Sequence, residues 1–116
     1  MKHVLIESIT ETESDGYYFG RFKSMDPITL MGTLDKPVCL IHRMELERAK
    51  NEGCFTEVYE LVEYQDKAEE KFGSRSKPAA IAVLIEELDY PTLTLPRHYP
   101  VAYYDELVKL GVAVAI

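Results

Sequence analysis

The sequence predicts a single α+β domain, in which two to three helices pack on a mostly antiparallel or mixed sheet. Three observations support this prediction. The chain has 116 residues, which is the size of one domain. Short stretches rich in β-branched and aromatic residues are interleaved with stretches whose apolar residues recur at helical spacing. Hydrophobic residues make up 47% of the chain and charged residues 28%, which excludes a disordered, collagen-like or coiled-coil chain.

The first half of the domain is predicted to begin with a β-hairpin. Residues 3–10 and 17–23 are rich in β-branched or aromatic residues, as strands are. The Asp15–Gly16 dipeptide between them supplies the positive φ that a tight hairpin turn needs. Residues 28–34 then form a short third strand, with Gly32 as a bulge. The hairpin therefore starts the sheet.

Residues 35–52 fit two interpretations. Residues 35–37, Asp-Lys-Pro, have the form of a helix start, and an apolar stripe runs from Val38 to Met44 at helical spacing. The alternative is a buried strand over residues 38–42, followed by a helix that begins near Arg43. A short apolar run suits a buried strand equally well. Both interpretations remain open at this stage.

The second half alternates helices and strands. An edge-like strand is predicted over 54–64, followed by at best a short charged helix over 65–72. Residues 79–88 are predicted to form a helix capped by Ser76, with a buried strand as the alternative. A strand over 92–95, a helix over 101–110 and a strand over 112–116 complete the chain. The last strand is apolar and uncharged. It is therefore expected to be central in the sheet or to pair across a subunit boundary, as in a homodimer.

The bulk properties exclude several classes of function. A net charge of −7 opposes binding to nucleic acid and to anionic lipid, so no membrane partner is expected. Glu7, Glu11 and Glu13 interrupt the N-terminal apolar run before the core of a signal peptide could form. The two cysteines, Cys39 and Cys54, are expected to be reduced and mostly buried. Together these features predict a cytoplasmic protein.

The reactive side chains do not form a recognisable catalytic or metal-binding motif. Cys39 and His42, with Cys54 and His98, are residue types that bind zinc, but a second closely spaced pair of ligands is missing. A catalytic Cys–His pair would need contact and a third, orienting group. We therefore predict no metal and no cofactor, and the sequence leans against an enzyme.

Two loops contain residues that suit an anionic ligand. Hydroxyls, backbone N–H groups and cations at a helix start bind phosphates and carboxylates well. The candidate ligand-binding residues are Ser74, Arg75, Ser76, Lys77, Arg97, His98 and Tyr99. If the loops lie together, Arg75, Lys77 and Arg97 form a clamp for an anion or a nucleotide. The alternative is a flexible surface loop with solvated charges.

Acidic and tyrosine residues suggest a protein partner. Acids concentrate in the middle third of the chain, and the tyrosines cluster near the last helix. The candidate partner-binding residues are Glu57, Glu60, Glu63, Tyr99 and Tyr103. Interspersed basic residues weaken an interpretation of the acidic surface as a mimic of DNA. The aromatic residues of 17–23 resemble a stacking platform for nucleic acid, but the net charge makes nucleic acid an unfavourable partner.

The sequence by itself therefore favours a small acidic cytoplasmic binding protein without catalysis. It would act as a regulator or inhibitor of a protein partner through its tyrosine-bearing and acidic surface. The first alternative is a binder of a small anion or nucleotide through loops 73–78 and 97–99, at the interface of a homodimer. The second alternative is a small enzyme of unknown class.

Overall fold

Six strands and five helices follow one another in the computed structural model, which describes residues 2–116 apart from the side chains of Ser14 and Asp15. In chain order the elements are β1 (His3–Ser8), α1 (Ser14–Gly20), β2 (Ile28–Gly32), β3 (Pro37–Ile41), α2 (Arg43–Glu52), β4 (Glu57–Glu60), α3 (Leu61–Phe72), α4 (Lys77–Leu88), β5 (Leu93–Thr94), α5 (Val101–Lys109) and β6 (Val114–Ala115). The α+β class is confirmed. The sheet is packed by five helices within the described residues, where the sequence predicted two to three.

The strands form one mixed sheet in the order β4-β3-β2-β1-β5-β6. Only β2 runs against the others: it is antiparallel to β1 and to β3, whereas the remaining neighbours are parallel. The five parallel strands therefore begin at one edge of the sheet, the amino edge, and end at the other, the carboxyl edge. β6 lies at the side of the sheet, so the prediction of a central final strand is wrong.

Helices cover both faces of the sheet. On one face α3, α4 and α5 pack over Leu5, Met31 and Leu40. α4 is the centre of this layer, and residues 78–85 within it are all buried. On the other face α1 and α2 pack over Leu30 and neighbouring strand residues. Alternating residues of each strand enter the two cores, as the period of a strand requires.

The predicted strand over residues 17–23 is wrong, because residues 14–20 form the helix α1. The antiparallel partner of β1 is β2, and the Asp15–Gly16 dipeptide lies inside the helix. Gly16 and Gly20 are four residues apart and share a helix face. A Cβ on Gly16 would collide with Ser8, and one on Gly20 with Phe55. The glycines therefore allow close helix packing and do not mark a turn.

Residues 37–41 form the buried strand β3, and α2 begins at Arg43. The alternative interpretation is thus confirmed, and the helix predicted to start at Asp35 is wrong. All five strand residues are buried, because β3 lies between β2 and β4 with both faces covered. Such strands appear in the sequence as continuous apolar runs. His42 caps α2, with its Nδ1 accepting a hydrogen bond from the Met44 N–H (3.2 Å).

The remaining elements differ from the prediction at their boundaries, most of all over residues 54–72. The strand predicted over 54–64 shrinks to residues 57–60, and α3 extends from Leu61 to Phe72. The helix over 79–88 is confirmed, and Ser76 caps it by accepting from the Ala79 N–H (3.1 Å). None of the helices in residues 2–116 has the length and apolar character needed to cross a membrane.

Candidate functional site

An ion pair at the carboxyl edge joins the sheet to α4. Glu7 lies near the end of β1, and Lys77 is the first residue of α4. Their side chains are only 6% and 16% exposed, and Lys77 Nζ contacts Glu7 Oε2. Thr29 on β2 donates its hydroxyl to Glu7 Oε1 (2.7 Å), and Lys77 Nζ also donates to the Pro27 carbonyl (3.3 Å). Each charge therefore has two polar partners.

Further polar side chains surround this pair. Ser76, the cap of α4, contacts the carboxylate of Glu106 on α5. The ring of buried Tyr99 packs edge-on against Tyr103, with centroids 6.3 Å apart. Burial raises the pKa of the Tyr99 hydroxyl, and the charge of Glu7 raises it further. We call Glu7, Thr29, Ser76, Lys77, Tyr99 and Glu106 the carboxyl-edge cluster.

The charged groups of the carboxyl-edge cluster already have partners within the protein. Glu7 and Lys77 neutralise each other, and polar contacts to Glu7 and Glu106 hold the N-terminus of α4 against β1 and α5. Buried charges are tolerated in proteins when they are paired and hydrogen-bonded in this way. One polar group of the cluster is left without a partner: the Tyr99 hydroxyl is buried and makes no hydrogen bond within residues 2–116.

Replacing Tyr99 by phenylalanine is expected to stabilise the protein by about 1 kcal/mol, because it removes a buried hydroxyl that makes no hydrogen bond. Chemical denaturation of the wild type and Tyr99→Phe measures the difference. Tyr18→Phe is the control, since the Tyr18 side chain is exposed and its hydroxyl faces water. A destabilised Tyr99→Phe would contradict the expectation and show that the hydroxyl has a partner.

The predicted anion clamp does not converge. Arg75 forms ion pairs with Asp66 (2.6 Å) and Glu69 (3.6 Å) on α3, and Lys77 is engaged by Glu7. Ser74 accepts a hydrogen bond from the Ser76 N–H (3.2 Å), so the loop is bonded to itself. Two of the three predicted cations are therefore neutralised within the domain.

Arg97 and His98 lie apart from this loop's ion pairs. Both residues are exposed. His98 lines a shallow depression of about 360 Å³ together with Ser8 and Glu13. Tyr99, the next residue, is buried and belongs to the carboxyl-edge cluster.

The predicted partner-binding residues are spread over several parts of the molecule. Glu57 is exposed at the amino edge, whereas Glu60 lies at the carboxyl end of β4 and pairs with Arg43 (3.5 Å). Glu63 is exposed on the first turn of α3. Tyr99 is buried and Tyr103 half-buried, so neither offers a broad surface to another protein.

The two cysteines differ sharply in their surroundings. Cys39 is fully buried on β3, and burial raises the pKa of its thiol to about 12. Cys54 is exposed, contrary to the prediction that both thiols are mostly buried. Across residues 2–116, no three His, Cys, Asp or Glu side chains are grouped closely enough to hold a metal ion.

Only Cys54 is therefore expected to react with a thiol reagent in the folded protein at about pH 8, because the thiolate is the reactive form. We expect Cys39 to react at least about a hundredfold more slowly, since it is both inaccessible and protonated. Mass spectrometry of the alkylated chain measures this ratio. Denatured protein, in which both thiols react, is the control. Comparable rates in the native state would contradict the burial of Cys39.

An apolar groove on the other face of β1 was not predicted. Val4 and Ile6 of β1 form its floor, Phe19 of α1 forms one wall, and Tyr18 and Leu34 are 61% and 65% exposed beside them. Its volume is about 520 Å³. The groove could not be predicted from the sequence, because the segment that contains Tyr18 and Phe19 was interpreted as a strand. Exposed apolar side chains grouped in this way make the groove a candidate interaction surface.

The rim of the groove is basic, although the protein as a whole is acidic. Lys2 lies at one end. Arg21 stacks over the ring of Tyr18, with its guanidinium carbon 4.3 Å from the ring centroid. Asp35 supplies one carboxylate on the same rim. We call the residues Lys2, Val4, Ile6, Tyr18, Phe19, Arg21, Leu34 and Asp35 the β1 groove.

Neither a protein-family model nor a curated protein sequence matches this chain. Solved structures, in contrast, share its fold. An XXA-pro aminopeptidase from Streptococcus pyogenes superposes with a TM-score of 0.65 at 17% identity, covering 97% of this chain and 75% of the other. The creatinase/prolidase N-terminal domain of an X-Pro dipeptidase from the same species gives 0.57 at 13% identity, covering 98% and 80%.

One protein with the same fold is a much longer chain than this one. The prolidase from Pyrococcus horikoshii gives a TM-score of 0.61 at 16% identity over 98% of this chain. The match covers only 27% of that prolidase. This chain thus spans about a quarter of a complete prolidase.

These findings define the fold class of the protein: a mixed sheet with helices on both faces and one antiparallel strand inside it. More specifically, it is the fold of the creatinase/prolidase N-terminal domain. The prediction of a non-catalytic regulator or inhibitor is wrong, because the proteins that share the fold are aminopeptidases and dipeptidases. Acidic composition and the missing catalytic motif had suggested a regulator, but neither feature distinguishes one from a domain of a larger enzyme.

Proposed function

We propose that this chain is a peptidase-associated domain, which works against the catalytic part of an enzyme that cleaves peptides at proline. The observation that carries the proposal is the agreement of the fold over 97–98% of the chain with an XXA-pro aminopeptidase and with the N-terminal domain of an X-Pro dipeptidase. In the prolidase of known structure, almost three quarters of the protein lies outside the matched region. The chemistry would reside in that other part.

The β1 groove is the surface through which we propose this association. It presents apolar side chains to solvent at a point where the helix layer leaves β1 incompletely covered. Burial of such side chains stabilises a complex by about 25 cal/mol per Å² of apolar surface before the costs of association. The basic rim of Lys2 and Arg21 favours an acidic margin on the catalytic part.

Co-purification of peptidase activity tests the proposal. The tagged chain is isolated under native conditions from the cells that make it, and the eluate is assayed for hydrolysis of Xaa-Pro dipeptides. We expect activity in the wild-type eluate. We expect a loss of about tenfold or more for Leu34→Glu, because a buried charge without a partner weakens an interface strongly. Val108→Glu is the matched control, since Val108 is exposed on α5, away from the groove.

The possible outcomes test the proposed function and the proposed surface separately. Absence of Xaa-Pro hydrolysis from the wild-type eluate would contradict the peptidase-associated role. Hydrolysis that survives Leu34→Glu unchanged would preserve the role and reject the β1 groove as its surface.

A homodimer and a cytoplasmic location are separate proposals. β6 is the last strand of the sheet order and leaves one side free to pair with a second copy, which supports a dimer. Two unpaired thiols support a reducing compartment. Light scattering of the purified chain measures its mass in solution, and a monomer at all concentrations would reject the dimer.

A further inference from the structure

A second cavity, of about 420 Å³, opens at the amino edge of the sheet. It lies where β1 and β4 begin and where β2 turns into β3, below the end of α4. The carboxyl-edge cluster is at the opposite edge of the sheet, and the β1 groove lies on the opposite face of β1. The volume falls in the range of roughly 300–1,000 Å³ that small-molecule sites occupy.

The inner walls of this cavity are apolar and aromatic. Val38 of β3 is buried and Leu88 of α4 half-buried. The rings of His3 and Tyr90 pack together with centroids 4.7 Å apart and planes inclined by 48°. An apolar group of a ligand would lie against these four residues.

Gly32 keeps the cavity open at the turn after β2. Its φ of +103° is unfavourable for other residues, and a Cβ there would lie 2.5 Å from the Lys36 carbonyl oxygen and 3.0 Å from the Tyr90 hydroxyl. The Lys36 N–H donates to the Thr33 carbonyl (3.1 Å) and to its hydroxyl oxygen (3.2 Å). The backbone that carries Lys36 is therefore held in a defined turn.

One buried polar atom next to the cavity has no hydrogen-bond partner. The Nδ1 atom of His3 is buried, and none of residues 2–116 bonds to it. A buried nitrogen left in this state costs about 1–3 kcal/mol. A molecule in the cavity would contact other atoms of His3, which lines the cavity, and not this covered nitrogen.

Three charged side chains line the mouth of the cavity. Asp35, Lys36 and Glu57 are exposed, and none of them forms an ion pair with another residue of the described chain. The charge of Glu57 also reaches the interior: after burial, it is the second cause of the raised pKa of the Tyr90 hydroxyl. Tyr90 therefore remains a neutral donor at physiological pH.

We propose that this cavity binds a small zwitterion of the amino-acid class with an apolar side chain. The Lys36 ammonium faces the ligand carboxylate, and Glu57 faces its ammonium group. The apolar side chain packs on Val38 and Leu88 and on the rings of His3 and Tyr90. The cavity and the β1 groove share Asp35 on their margins, but Lys36, Val38, Glu57 and Leu88, which would hold the ligand, lie outside the groove, so the proposal does not rest on the association with a peptidase.

Thermal denaturation with the standard L-amino acids, each added separately, tests the proposal. At least one apolar amino acid is expected to raise the melting temperature in a saturable manner. Its amide, which lacks the carboxylate, and its N-acetyl derivative, which lacks the ammonium group, are each expected to bind about tenfold more weakly or less.

Two variants identify the charged groups that recognise the ligand. Lys36→Met is expected to bind the free amino acid and its amide equally, and Glu57→Gln to reduce the preference for the free amino acid over its N-acetyl form. Lys109→Met and Glu70→Gln are the controls, because both residues are exposed on helices α5 and α3, away from the cavity. Both controls should bind as the wild type does.

Three results would overturn the proposal. The first is the lack of a melting shift with every amino acid. The second is equal binding of the free, amidated and acetylated forms by the wild type. The third is unchanged discrimination in Lys36→Met or in Glu57→Gln, which would place the ligand elsewhere.

Discussion

Lys77→Met should lower the free energy of unfolding by about 3–5 kcal/mol, the largest effect that we expect from the loss of a single ion pair in this protein. The substitution keeps the packing of the lysine stem and removes its charge. Glu7, whose side chain is 6% exposed, then remains a buried carboxylate without its counter-ion. Urea denaturation followed by circular dichroism measures the loss.

The double variant Glu7→Gln with Lys77→Met tests the cause. Glutamine still accepts the hydrogen bond from the fully buried Thr29 hydroxyl and carries no charge, so no unpaired buried charge remains. We expect the double variant to recover at least half of the lost stability. Lys109→Met, which breaks the exposed pair with Asp105, should change stability by about 0–1 kcal/mol. A Lys77→Met loss no larger than this control would show that water solvates Glu7.

Leu84→Ala is expected to cost about 2–5 kcal/mol of stability. Leu84 is fully buried on α4, the helix at the centre of the layer formed with α3 and α5. Truncation removes apolar contacts and leaves a cavity that this central helix cannot close by moving, because it has neighbours on several sides. Equilibrium unfolding in urea, fitted to two states, gives the value.

Val108→Ala is the control for this truncation, since Val108 is 49% exposed on α5. We expect it to change stability by about 0.5 kcal/mol or less. A Leu84→Ala loss below about 1 kcal/mol would mean that the α4 layer is loosely packed. Such a result would also weaken the assignment of the fold, which depends on α4 lying flat on the sheet.

The candidate sites could be predicted only in part. Ser76, Lys77 and Tyr99 were identified from sequence and do meet in the carboxyl-edge cluster. Their partner Glu7 lies 70 residues from Lys77 in the chain, so local patterns could not reveal that the cation is neutralised. The charges of Lys36 and Glu57 around the amino-edge cavity come together for a similar reason, through pairing of β3 with β4.

Local patterns were enough to predict the α+β class, the strand β2 and the order of β5, α5 and β6. These features follow from local period and turn residues, which act within a few positions of the chain. The choice between strand and helix at α1, β3 and α4 depended on packing in the folded domain. Glycines that allow a helix to approach the sheet look like turn residues in sequence, and a strand covered on both faces has the same apolar run as a buried helix. The sheet order, and with it the charge pairing and the cavities, arises from contacts between residues far apart in the chain.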